Sequence, residues 1–340
     1  MKRIFIFGVF FLLPRIGFAN DFPALGPLTN RIQHPIYLQN LGLTPMRPVA
    51  LPQGKLELRT DVAFSNLFEE AVAEHSDADL DMELLRTAII AQLGLGKGFE
   101  VGAELPFYRF DGGFLDSFIE DYHSLFHFPR GGRETVNNGR FSYRLTSYGV
   151  DRINYPDLGW GVGDVTLHLK HQFQETQKRA LALAWFLDFK IPTGQQKRGL
   201  SSGSPDFGLG VALEKKLGNR FHLYANAGPY ITPGNSKIED YMYEVSFQFM
   251  VAGDINLYKD WSVIAQLQGG SPLLKSLSDQ WGGVPLDLIV GLKGDHKELL
   301  GKQDFIWQFG FAEDITGHGP SVDFTLFASI GIRTASLFGK

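Results

Sequence analysis

The chain has 340 residues, a formal charge of −5 and no cysteine, which removes thiol chemistry, disulfides and cysteine-ligated metals. Its 32 Lys and Arg are outnumbered by 37 Asp and Glu, and no basic patch stands out, so a nucleic-acid partner is not expected. Phe alone supplies 29 residues, more than a water-facing sheet would willingly display.

The N-terminus reads as an export signal. Lys2 and Arg3 precede the apolar run Ile4–Leu13, and Gly17 and Ala19 offer small residues where a signal peptidase reads. Residues 1–19 are therefore expected to be a cleaved signal peptide, too short and wrongly flanked for an anchor. Cleavage near Asn20 removes Lys2, Arg3 and Arg15 and no acid, taking the charge from −5 to −8. Residues 20–53 carry prolines at 23, 27, 35, 45, 48 and 52. They are expected to form an irregular periplasmic segment, with part of it within reach of a barrel lumen.

From Lys55 the chain adopts a period of two, the mark of strands with different surroundings on their two faces. In Lys55–Phe64, Leu56, Leu58, Val62 and Phe64 share one face, and Lys55, Glu57, Arg59 and Asp61 the other. An acidic loop, Glu69–Glu83, is expected next. Leu85–Leu93 follows with Arg86 and Gln92 on the polar side, then Phe99–Phe107 with Glu100 and Glu104 there. The long connection 108–160 places Leu115, Phe118, Ile119, Tyr122 and Phe126 at helical steps, predicting a short helix in an extracellular loop. Phe141–Tyr148 suits a short strand or hairpin.

The second half is more regular, with spans at Val165–Phe173, Leu181–Phe189, Leu209–Leu217, Phe221–Tyr230, Trp261–Gly269, Leu286–Lys293, Asp304–Phe311 and Asp323–Ile332. The clearest span is Tyr243–Leu257. Tyr243, Val245, Phe247, Phe249 and Val251 fall on one parity; Glu244, Ser246, Gln248, Met250, Ala252 and Asp254 fall on the other. Twelve spans with alternating short and long connections predict an all-β, antiparallel transmembrane barrel over residues 54–333, with 334–340 as a periplasmic tail. Arg59, Glu104, Asp188 and Asp254 are candidate lumen residues. A dry core would charge heavily for them unless they were paired, whereas a polar lumen accepts them.

The strings GFEVGAELPFYRFDGGFLDSFIEDYHSLFHFP (98–129), Gly131–Arg133, GVGDVTLHLKHQF (161–173) and SSGSPDFGLGVALEKKLG (201–218), with the N-terminal Asn30–Pro35, resemble a bacterial outer-membrane family known as domain of unknown function 3187. GVGDVTLHLK with FKIPTG (189–194) is also similar to the broader phenol-degradation-associated barrel group. The resemblance implies an outer-membrane location. It implies no activity and brings no catalytic residues with it.

Chemistry must then come from the residues themselves. Asp116 and Glu120 share a helix face, and His123 lies three residues beyond, so this candidate functional loop could build a cation site or a His–carboxylate pair. A solvated helix face is the simpler account. Asp77, Asp79, Asp81 and Glu83 alternate, but Met82 stands where a calcium loop needs Gly and Ala88 where it needs the closing Glu. His168, His171, His222, His296 and His318 are scattered, with His168 and His222 on the inward parity and His171 outward. No cofactor is expected. The expected function is a narrow channel for small solutes or a structural envelope protein; the alternative is an outer-membrane hydrolase acting on phospholipid or lipopolysaccharide. Expected partners are outer-membrane lipids and, during biogenesis, the barrel assembly machinery.

Overall fold

The computed structural model describes residues 22–113, 139–156, 158–173, 181–234, 238–275, 282–316, 320 and 322–334. The period-two runs become β1 (Leu56–Ala73), β2 (Ser76–Gly96), β3 (Phe99–Asp111), β4 (Ser142–Ser147), β5 (Val150–Asn154), β6 (Leu158–Val162), β7 (Val165–Gln172) and β8 (Leu181–Ile191). They continue as β9 (Asp206–Leu217), β10 (Phe221–Ile231), β11 (Val245–Tyr258), β12 (Trp261–Gly270), β13 (Leu286–Leu300), β14 (Gln303–Asp314) and β15 (Phe324–Arg333). Neighbours pair antiparallel, and β1 pairs with β15, Val62 opposite Ala328, so the sheet closes. β4 and β5 ride on the upper part of β2, and β6 extends the line of β7 along β3. The wall is a closed barrel of twelve antiparallel strands. Closure leaves no sheet edge for lipid to meet, which is why strands can span a bilayer at all.

Residue parity separates the two faces. Phe247 is 50% exposed, and the neighbouring inward Gln248 is 4% exposed. Leu58, Leu183, Leu187, Val251 and Ile330 are likewise exposed on the outer wall. The tight turns at Lys97, Gly218, Lys259 and Gly301 gather at the end where the chain enters β1 and leaves β15; in barrels of this kind that end is periplasmic. Placing a charge mid-wall should cost about 2–4 kcal/mol. Val251→Arg, midway along β11, is therefore expected to lower the urea midpoint of refolding into lipid vesicles, followed by heat-modifiable gel migration; an unchanged midpoint would contradict this face assignment.

The expected acidic loop 69–83 is instead strand. β1 and β2 remain paired up to Ala73 opposite Ser76, so this hairpin runs on beyond the apolar wall. The physical reason lies in the outer parity of β2. It reads Asp77, Asp79, Asp81, Glu83 and then Leu85, Ile89, Leu93, while Ala78, Leu80, Met82 and Leu84 turn inward and are buried. Above the bilayer the outer medium is water, so Asp77 and Asp79 occupy the parity that faces lipid below, while Asp81 and Glu83 on the same parity are buried, Glu83 against Gly113. The switch between Glu83 and Leu85 marks the extracellular interface. Arg140 pairs with Asp79 and with Glu70 across this protruding surface.

A second difference concerns residues 20–53, expected in the periplasm. From Phe22 onward this segment lies inside the barrel: Leu28, His34, Ile36 and Leu43 are fully enclosed. Its prolines keep it out of the strand ladder, and the polar groups of the wall take the place of water around its backbone. The predicted helix over 115–126 lies outside the described residues.

Candidate functional site

The N-terminal segment enters at the periplasmic end, where Phe22 N donates to Asn219 O at 3.2 Å. It climbs the lumen to a single helical turn at Pro35–Leu38, set by His34, whose Nδ1 accepts from Ile36 N at 3.3 Å. It then descends to Gly54, whose N–H reaches Gly94 O at 2.8 Å beside the start of β1. The result is a hairpin-shaped plug with two irregular legs.

A buried irregular backbone must find hydrogen-bond partners, and here the wall side chains provide them. On the rising leg, Leu28 N donates to Gln266 Oε1 (3.1 Å) and Thr29 N to Gln308 Oε1 (3.1 Å). On the falling leg, Leu43 N donates to Gln248 Oε1 (2.8 Å), Met46 N to Asn226 Oδ1 (2.8 Å) and Leu51 N to Glu100 Oε2 (2.8 Å). Lys170 Nζ donates to the carbonyls of Arg47 (3.1 Å) and Val49 (3.3 Å). The polar inward parity thus serves a buried chain as much as a wet lumen.

The apex is fastened by charge and by apolar packing. Lys190 Nζ donates to Gln39 O at 2.7 Å and lies 2.8 Å from Asp206 and 3.2 Å from Asp164. Asp206 Oδ2 accepts from Leu41 N at 2.8 Å, and Asp164 accepts from Ser201 Oγ and Gly194 N, both at 2.8 Å. Ser202 N donates to Gln39 O at 3.2 Å. These residues come from the three short strings GVGDV, FKIPTG and SSGSPD, which converge here as a latch. Above it, Ile32, Ile36 and Leu38 pack against Leu80, Leu145 and Leu273 of the wall and loops. Tyr37 Oη accepts from Leu273 N at 3.1 Å, and burial pushes its phenol above the ordinary range, so it stays a neutral hydrogen-bonding group.

Each candidate lumen residue faces inward and has a partner. Arg59 pairs with Asp61 (2.7 Å) and Glu57 (3.1 Å). Glu104 pairs with Arg86 and with Arg31 of the plug (3.7 Å). Asp188 meets His168 Nδ1 at 2.7 Å. Asp254 meets His222 Nδ1 at 2.9 Å and accepts from Tyr224 Oη at 2.7 Å. Asp116, Glu120 and His123 lie outside the described residues. His171 points outward among Phe99, Phe173 and Trp185. Among the described residues no group of three or more His, Asp or Glu is placed to hold a metal ion.

Below the latch, a cavity of about 350 Å³ lies between the two legs and the strands β1, β2, β3, β7, β13, β14 and β15 toward the periplasmic end. The arrangement is thus a cavity toward the periplasmic end, a plug, and a buried apolar cluster around the plug's apex. The sequence placed part of residues 20–53 within reach of the lumen but did not show the segment's path or its partners. The signal available was the pairing of a proline-spaced, apolar-tipped segment with an inward parity rich in Gln and Asn.

The sequence profile of a family described as "Protein of unknown function (DUF3187)" matches residues 10–333. No curated protein is matched. Among solved structures, the COG4313 outer membrane channel from Pseudomonas putida F1 has 16% identity and a TM-score of 0.52, covering 86% of this chain and 100% of that one. The toluene transporter TodX of Pseudomonas putida has 10% identity and a TM-score of 0.37, covering 93% and 99%. The KdgM porin has 6% identity and a TM-score of 0.40, covering 83% and 98%. The first likeness establishes the fold.

Proposed function

The chain belongs to the DUF3187 family, whose description assigns no activity, and from that premise we propose that it is a plugged outer-membrane channel for small solutes. The observation that carries this reading is the chemistry of the plug–wall interface. The two legs are held by side-chain hydrogen bonds that water can replace, each worth about 1 kcal/mol net, or about 1.5–3 kcal/mol where Lys170, Glu100 or Glu214 makes it charge-assisted. An interface of that kind can be exchanged for water. Apolar packing holds the apex and also reaches the legs, where Leu28, Leu41 and Leu43 meet Phe186, Tyr224 and Met250 of the wall, but polar contacts interrupt it along both legs.

Export by the 1–19 signal, insertion by the barrel assembly machinery and a surrounding of outer-membrane lipids belong to the same reading. A hydrolase has less support: of the two lumenal His–Asp pairs, the one at Asp254 is buried and completed by Tyr224, and the one at Asp188 has His168 half-buried with no serine among its hydrogen-bond partners in the described residues. A purely structural envelope role differs from the channel in one respect, namely that its plug never moves.

The absence of native cysteine allows a clean test of this point. The backbones of Gln39 and Ser202 are hydrogen-bonded neighbours, a separation a disulfide can span. The double variant Gln39→Cys, Ser202→Cys is expected to be silent in planar bilayers when oxidised and to show openings once reduced. A conductance indifferent to reductant in the fully cross-linked protein would exclude a moving apex.

A further inference from the structure

The periplasmic cavity is lined by carboxylates, Glu57, Glu100, Glu104, Asp260, Asp295 and Asp304, as well as by cations, and one cation has no direct carboxylate partner among the described residues. Its lining includes Arg47, Arg59, Lys170, Lys293 and Arg333. Four of these have carboxylate partners: Arg47 has Glu214 (2.8 Å), Arg59 has Asp61 (2.7 Å), Lys170 has Glu100 (2.8 Å) and Arg333 has Glu57 (2.7 Å). Lys293 differs. Among the described residues no carboxylate lies within 4.0 Å of its ammonium, which donates to Pro27 O at 2.6 Å. Lys259, also on the lining, sits exposed at a turn where water solvates it.

A cation confined without a counter-charge is costly, and an anion brought beside it offsets that cost. The chain as a whole is acidic, so this unpaired cation is not a by-product of general basicity. The rest of the lining includes Pro27, Met46, Val49 and Ile306, a surface that favours an apolar body next to the charge. The volume falls in the range of small-ligand sites, about 300–1,000 Å³. We infer that this cavity is a binding site for small organic anions, with Lys293 taking the carboxylate and the apolar lining taking a short hydrocarbon body.

Binding has a structural consequence. The anion competes with Pro27 O for the Lys293 ammonium, so occupancy frees one contact of the rising leg. The site itself stands on the closed structure; only this link to plug movement rests on the channel reading.

The test is calorimetric titration of the purified mature protein in detergent with benzoate, with benzamide as a neutral isostere and acetate as a charge without a body. Benzoate is expected to bind saturably, at one per chain. Benzamide and acetate should each bind on the order of tenfold more weakly or worse, and Lys293→Met should lose benzoate by on the order of 10- to 100-fold, the scale of one charge-assisted hydrogen bond. Lys293→Arg should retain binding, which separates loss of charge from loss of fold, and heat-modifiable migration verifies the barrel in each variant. Benzoate without saturable binding, benzamide binding equally well, or unchanged affinity in folded Lys293→Met would each overturn the assignment. None of these readings uses conductance, so their failure leaves the channel proposal standing, and a closed barrel that still binds benzoate leaves the site standing.

Discussion

Deleting residues 23–51 is expected to turn a mostly closed barrel into a steadily conducting one. The wall does not depend on the plug for its strand ladder: β1 pairs with β15 and β2 along its length, and closure is complete without residues 22–54. Removing the plug exposes inward Gln248, Gln266, Asn226 and Lys170 to water, which satisfies them readily. It also strips Ile32, Ile36 and Leu38 from the upper apolar cluster, so some stability is lost while the barrel persists. A twelve-strand wall is wider than the eight-strand barrels whose interiors side chains just fill, so a water path opens. Single-channel recording should show a conductance on the order of tenfold above that of the intact chain. A folded, heat-modifiable deletion variant that stays silent would show that the wall's own side chains or loops close the lumen, and the plug would lose its role as the gate.

The wall was legible in the sequence because lipid and lumen impose opposite demands on alternate residues, and those demands are local. Phe247 and Gln248 need only their own parity to be placed. The protruding hairpin was misjudged because its acids lie on the parity that carries apolar residues lower down, exposed to water at Asp77 and covered by neighbouring chain at Asp81 and Glu83. The plug was hidden for a different reason. Its path is fixed by contacts between distant residues, such as Leu43 with Gln248 and Leu28 with Gln266, and nothing periodic in residues 22–54 announces them. The latch was present in the sequence as three separate strings with a family resemblance. Their common purpose appears only when strand pairing sets Lys190 opposite Asp206 and brings the loop carrying Ser201 and Ser202 over Gln39. The candidate lumen residues could be assigned a direction from parity, but not their partners, since Arg31 reaches Glu104 from a segment that parity does not describe.

Removing the latch cation is expected to open the channel without removing the plug. In Lys190→Met, Asp164 and Asp206 keep their places at the apex but lose the ammonium that both now share at 3.2 and 2.8 Å. Both carboxylates are buried, Asp206 completely. Breaking a buried ion pair on one side costs about 3–5 kcal/mol, because the remaining charge stays desolvated. Opening relieves that penalty by letting water reach the carboxylates, so the cost falls mainly on the closed state. A differential of only about 1.4 kcal/mol would raise the open-to-closed ratio about tenfold. Lys190→Met should therefore show frequent openings to the level seen in the deletion variant. Adding Asp206→Asn removes one of the two stranded charges and should return the protein toward the closed state. The direction of the second step distinguishes electrostatic release from simple loosening: a latch damaged by packing alone would open further with each substitution, and that result would refute the charge-based account of closure.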